Sequence, residues 1–159
     1  MCTIIELFKE KEMKYILWLL VFLGISQAQE YRSVFDCSAS DARYISSRMA
    51  LIEKTMDMIE KQGDTTKFAL TLHGDCVAMV SKSYDEITDD TDLIYIKKAR
   101  DSISRLAKQK DVNIVVCAMS LNANGIEQED VLPFISISNN SFIDTIGYQN
   151  RGYALMTFK

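Results

Sequence analysis

The stretch Val112-Asn113-Ile114-Val115-Val116-Cys117-Ala118 decides how this chain is read. It is almost wholly apolar, rich in β-branched side chains, and shows no alternation of polar and apolar positions. A strand wetted on one face alternates. A run without alternation suits a central strand of a parallel sheet, covered on both faces. Parallel neighbours cannot be joined by a hairpin, so helices should carry the chain between them. Upstream, the polar break Asp89 to Asp92 is followed by Ile96, Ala99, Ile103 and Leu106, spaced for one face of a helix that runs to about Lys110. Before that, residues 67–72 read as a strand leading into His73-Gly74-Asp75-Cys76, with a short helical turn over 77–81. Residues 41–62 place Ile45, Met49, Ile52, Met56 and Ile59 on one stripe, with Ser40 as the expected N-cap and Gly63 as the stop. Residues 31–37 read as the first strand.

Downstream of the central run, residues 122–132 read as a loop with a short helix closed by Pro133, and 134–138 as a strand. Ser141-Phe142-Ile143-Asp144 resembles a capping box and opens a helix to Asn150, which Gly152 ends before a last strand over 153–158. The alternation predicts a single-domain, three-layer α/β sandwich. Its sheet should be about five-stranded and mainly parallel, with helices on both faces and right-handed crossovers.

The first segment stands apart from this pattern. Ile16 to Ile25 (ILWLLVFLGI) is an apolar run of ten residues, about half of what a membrane-spanning helix needs. Lys14 before it and Ser26-Gln27-Ala28 after it fit a secretory signal cut after Ala28. Residues 1–28 are therefore expected to be a signal peptide and residues 29–159 the domain, exported to the periplasm and free of the membrane once cut. MCTIIELFKEKE fits a signal badly, because acidic residues stand where positive charge belongs, so translation is expected to start at Met13.

Composition narrows the function. The 159 residues carry a net charge of −4, with a pI near 5.0, which argues against non-specific nucleic-acid binding. Four Cys and one His cannot build two structural zinc sites, and no Cys-x-x-Cys pair exists. Glycine-rich nucleotide loops, Gly-x-Ser-x-Gly and a calcium loop are all missing from the sequence. The acidic residues Asp85, Glu86, Asp89, Asp90 and Asp92 read as a solvated loop and helix start. No cofactor or metal is expected.

Signal removal leaves Cys37, Cys76 and Cys117. Three is an odd number for an exported protein, so one thiol should stay free, pair between subunits or carry chemistry. Each follows or closes a strand, so all three should gather at the carboxyl rim of the sheet, where open α/β sheets bind ligands. Cys117 leads into Met119-Ser120-Leu121-Asn122, where backbone N–H groups can favour a thiolate. His73 lies three residues before Cys76 and can take its proton, whereas Asp75 opposes thiolate formation. The plainer reading makes these cysteines small buried apolar residues, or a Cys37–Cys76 bridge beside an unreactive Cys117. Spacing does not choose among pairings.

The segment from Asp111 to Ile126, DVNIVVCAMSLNANGI, followed by acidic residues up to Leu132, resembles the DsrE/DsrF-like family: a hydrophobic strand, a Cys, a short helix, then Gly-Ile. VFDCSASDARYISSRMALIEKT, TLHGDCVAMVSK and the chain from Cys117 to the end resemble an exported subgroup of that family, and the likeness covers nearly all of residues 29–159. It implies a three-layer α/β fold and ring-like homo-oligomers, trimers or hexamers. Some members carry a persulfide on a Cys at the end of this strand, and only Cys117 matches that position. Cys76 and His73 belong to the subgroup pattern without a known role. The resemblance thus implies a periplasmic sulfur-handling protein in which Cys117 takes sulfur from a donor protein or small sulfane-sulfur compound and passes it to an acceptor, with Cys76 resolving and His73 assisting. The alternative is a non-catalytic ligand-binding or structural oligomeric module of the same fold.

Overall fold

A computed structural model describes residues 28–110 and 112–158. The expected signal segment, apart from Ala28, and the expected start at Met13 lie outside the described residues. Five strands, β1 (Glu30–Cys37), β2 (Thr65–Leu72), β3 (Asn113–Cys117), β4 (Ser136–Ser138) and β5 (Ala154–Phe158), form one sheet in the order β4-β3-β2-β1-β5. Every neighbouring pair is parallel. The helices are α1 (Ala42–Glu60), α2 (Leu93–Gln109), α3 (Ala118–Ala123) and α4 (Ser141–Asn150), with 3₁₀ segments at Gly74–Val80 and Gln128–Asp130.

Strand order and handedness fix the layers. From β1 to β4 the chain steps across the sheet in one direction, so right-handed crossovers keep α1 and α2 on one face. From β4 it returns across the whole sheet to β5, so the same rule puts α4 on the other face. The pleat sorts the core accordingly. Phe35, Cys37, Phe68, Leu70, Leu72, Ile114 and Val116 pack into the large core under α1 and α2. Val34 and Ala69 point the opposite way and pack with Tyr148 of α4, Tyr153 and Leu155.

The helix stripes are where their spacing places them. Ile45, Met49, Ile52 and Met56 of α1 and Ile96, Ala99, Ile103 and Leu106 of α2 are all buried. Arg105 clasps Glu53 with two nitrogens, at 2.8 and 3.0 Å, and so ties α2 to α1. Gly63 takes a φ of +85°, which suits the turn that follows α1.

Among the boundaries that differ from expectation, three have a visible cause. Asp41, not Ser40, caps α1: its carboxylate accepts the Tyr44 N–H at 2.8 Å. Asn140 caps α4 by accepting the Phe142 N–H at 2.9 Å, so Ser141 is already helical and the expected capping box starts one residue late. Strand β4 is shorter than 134–138 because a turn, closed by the Ile135 N–H on Leu132 O at 3.0 Å, takes up its first residues. The first difference is measurable. Asp41→Ala should cost about 1 kcal/mol in urea unfolding, with Ser40→Ala near neutral. The reverse order would show that Ser40 is the cap.

Candidate functional site

The connections that leave β3 and β4 go to opposite faces of the sheet, which opens a crevice between the carboxyl ends of these two strands. Such a switch point is where open α/β sheets hold ligands. Cys117 closes β3 there, in register with Ser138 of β4. Helix α3 starts at Ala118, directly after the strand, so Cys117 occupies its N-cap position. The residue is only 4% exposed. Burial pushes its thiol up. The Ser120 N–H, the Ser141 N–H, the Ser120 hydroxyl and the Met119 N–H together outweigh that and hold Cys117 below an ordinary thiol. These donors come from two helices, α3 and α4, that leave for different faces.

The loop after β2 is laced to the same place. The Gly74 N–H donates to Ser120 Oγ at 3.1 Å, and Asn124 Nδ2 donates to Ser120 O at 2.8 Å and to Gly74 O at 3.4 Å. Gly74 has a φ of +54°, and a Cβ there would stand 3.2 Å from Ser38 O, so the close passage of the two loops requires glycine.

His73 lies on the rim beside this contact. Its Nε2 is 3.2 Å from the carboxylate of Asp36, and the His73 N–H donates to Cys37 O at 2.9 Å. The hydrogen bond to Asp36 raises the His73 pKa; burial opposes the shift, and the negative charges of Asp36 and Cys117 add to it. Asp36 is itself held by the Thr71 hydroxyl, which donates to Oδ1 at 2.7 Å. Register explains the grouping. Asp36 pairs with Thr71 and Thr71 with Val115. Two residues further along, on the same face by the strand's period of two, come His73 and Cys117.

The three expected site residues are therefore divided. Cys117 and His73 stand at the same rim, on one face of the sheet. Cys76 does not join them as a second reactive thiol: it is bonded to Cys37, with Cα atoms 6.0 Å apart, and both residues are fully buried in the large core. The cysteines share an edge of the sheet, but the pleat turns Cys37 to the α1–α2 face and Cys117 to the other. His73 accordingly partners Asp36 and senses Cys117 where an interaction with Cys76 was expected. Sequence reasoning missed Asp36, Ser141 and the Ser120 hydroxyl; the Ser120 N–H lies in the stretch expected to favour the thiolate. A charge set between Phe35 and Cys37, in the buried second half of β1, was the available signal for Asp36. Among the described residues no three His, Cys, Asp or Glu side chains cluster to hold a metal ion. What the rim offers is a thiol held below its ordinary pKa, an imidazole held above its own, and hydroxyls.

Comparison with known proteins agrees with this architecture. The sequence pattern of the DsrE/DsrF-like family matches residues 33–158. An uncharacterized protein of Aquifex aeolicus (strain VF5) is 28% identical over 145 residues, which are 91% of this chain and 63% of that protein, so the chain spans under two thirds of that relative's length. A protein of unknown function from Methanobacterium thermoautotrophicum shares the fold, with a TM-score of 0.62 at 16% identity over 80% of this chain and 99% of its own. The family match takes in every strand from Ser33 onward together with Cys117 and its short helix, and the chain belongs to the DsrE/DsrF-like family.

Proposed function

We propose that the protein handles sulfur in the periplasm, holding it as a persulfide on Cys117 and passing it to an acceptor thiol. One observation carries this reading: the single free cysteine among the described residues sits at the switch point of the sheet, with hydrogen-bond donors from α3 and α4 trained on its sulfur. The family's sulfur-relay-related fold supports it. In the loading step the Cys117 thiolate attacks an outer sulfur of a polysulfide dianion. A new S–S bond forms, the adjacent S–S bond breaks, and the polysulfide leaves one atom shorter, again as a dianion. Donor and acceptor proteins, small sulfane-sulfur compounds and a homotrimeric or hexameric assembly all fit this role.

The Cys37–Cys76 bond and the slight exposure of Cys117 favour a second reading, in which the fold is a non-catalytic binding or structural module. Mass spectrometry after incubation with polysulfide or thiosulfate separates the two. The sulfur carrier gains one sulfur atom, which maps to Cys117 and is lost in Cys117→Ser. A protein whose mass stays unchanged is the passive module.

A further inference from the structure

We propose that Asp36 is a positioning residue of the Cys117 site: it grips His73 through Nε2 so that the imidazole stands beside the Cys117 sulfur, completing a row of acid, imidazole and thiol across three adjacent strands. No likeness to relatives assigns Asp36 a role, and the spacing of the sequence does not show one.

The geometry is set by the backbone. Asp36, Thr71 and Val115 are linked by the β1–β2 and β2–β3 ladders. His73 and Cys117 lie one pleat beyond Thr71 and Val115, at the ends of strands about 4.8 Å apart. The loop after His73 is fastened to α3 through Gly74 and Ser120, and Ser120 also bonds the Cys117 sulfur. An acid in a sheet interior is costly to bury, and an apolar residue would pack there more cheaply. The Asp36 side chain is 14% exposed and the His73 side chain 19%. Thr71 fixes one carboxylate oxygen of Asp36, and His73 lies against the carboxylate. The ionisable groups acting on His73 are Asp36 from β1 and Cys117 from β3. Ser120 of α3 and Asn124 just after it, which bond the adjacent Gly74, are uncharged, and Asp75 in the same loop is exposed to solvent.

A role in sulfur release follows, and this part rests on the sulfur-carrier reading. With Nε2 engaged by Asp36, Nδ1 of the imidazolium is the nitrogen that can give its proton to the outer sulfur of the Cys117 persulfide. An acceptor thiolate then attacks that sulfur. A bond forms between them, the persulfide S–S bond breaks, and Cys117 departs as a thiolate received by the Ser120 and Ser141 N–H groups. Neutral His73 regains a proton from solvent.

His73 is the single histidine of the chain, so its ring protons give an unambiguous NMR titration. In the native protein the titration should lie above that of free histidine, and it should move down in Cys117→Ser, where the thiolate charge is gone, and down again in Asp36→Asn. Alkylation of Cys117 by iodoacetamide at neutral pH should slow about tenfold in Asp36→Asn, because His73 without its carboxylate partner gives up the proton whose positive charge favours the thiolate. Asp36→Glu should recover part of that rate. A His73 titration unmoved by Cys117→Ser, or by Asp36→Asn, overturns the proposal, and either variant decides alone if the other does not fold. The two readings fail separately. Intact coupling without sulfur uptake removes only the carrier function. Sulfur uptake with an uncoupled His73 removes only this inference.

Discussion

Replacing Cys37 and Cys76 together by alanine should lower the unfolding free energy by about 2–4 kcal/mol. The bond closes a loop of 39 residues, and the chain-entropy argument for a loop of that length gives about 4 kcal/mol, from freedom denied to the unfolded chain. Both sulfurs are buried in the large core, so alanine is the informative substitution; serine would add a buried hydroxyl to the cost. The effect should reach the site as well. Asp36 precedes Cys37, and the His73 N–H bonds to Cys37 O, so the bridge braces both ends of the Asp36–His73 contact. Urea unfolding of the native protein, with and without dithiothreitol, is the measurement. An unfolding midpoint that ignores both the reductant and the double substitution would mean that the two thiols are not joined in the folded protein.

Leu70→Ala should cost about 2–5 kcal/mol, the range for emptying a fully enclosed leucine site. Leu70 lies on β2, the middle strand of five, in register with Phe35 on one side and Ile114 on the other, and no part of it is exposed. Backbone pairing on both sides holds the surrounding strands in place, which limits how far the vacancy can close. Domains of this size hold a net stability of roughly 5–15 kcal/mol, so the middle of each range has this one side chain removing about a third of it. Met58→Ala is the control. Met58 belongs to the methionine-rich helix α1 but is 54% exposed, and it should change stability by under about 0.5 kcal/mol. Equal losses at Leu70 and Met58 would contradict the burial of Leu70 and the exposure of Met58.

The elements were legible because their side chains repeat. Ile45, Met49, Ile52 and Met56 announce α1, and the unbroken apolar run at Ile114 to Val116 announces a strand covered twice. Short pieces carry no such signal. Helix α3 has six residues, too few to show a period, so its first residue, Ala118, read as the end of the apolar strand run. Caps slipped by one position because Ser40 and Asp41, or Asn140 and Ser141, are chemically interchangeable candidates, and only backbone angles choose between them. The candidate site was half visible. The rim location of Cys117 and His73 follows from where strands end. Their alliance with Asp36 depends on the register between β1, β2 and β3, and register is a property of pairs of strands that a single chain of letters does not display. The same limit hid the separation of Cys117 from Cys76: both follow strands, but the face each occupies depends on counting residues from a partner.

The long return from β4 to β5 also bears on folding. The final strand β5 lies against the first, and α4 on the connection packs across β1, β2 and β3. The Ser141 N–H therefore reaches Cys117 only once α4 has docked on a sheet already built, whereas the Ser120 and Met119 N–H groups follow Cys117 within the same short stretch of chain. A partly folded chain thus lacks one of the donors that sharpen its thiol.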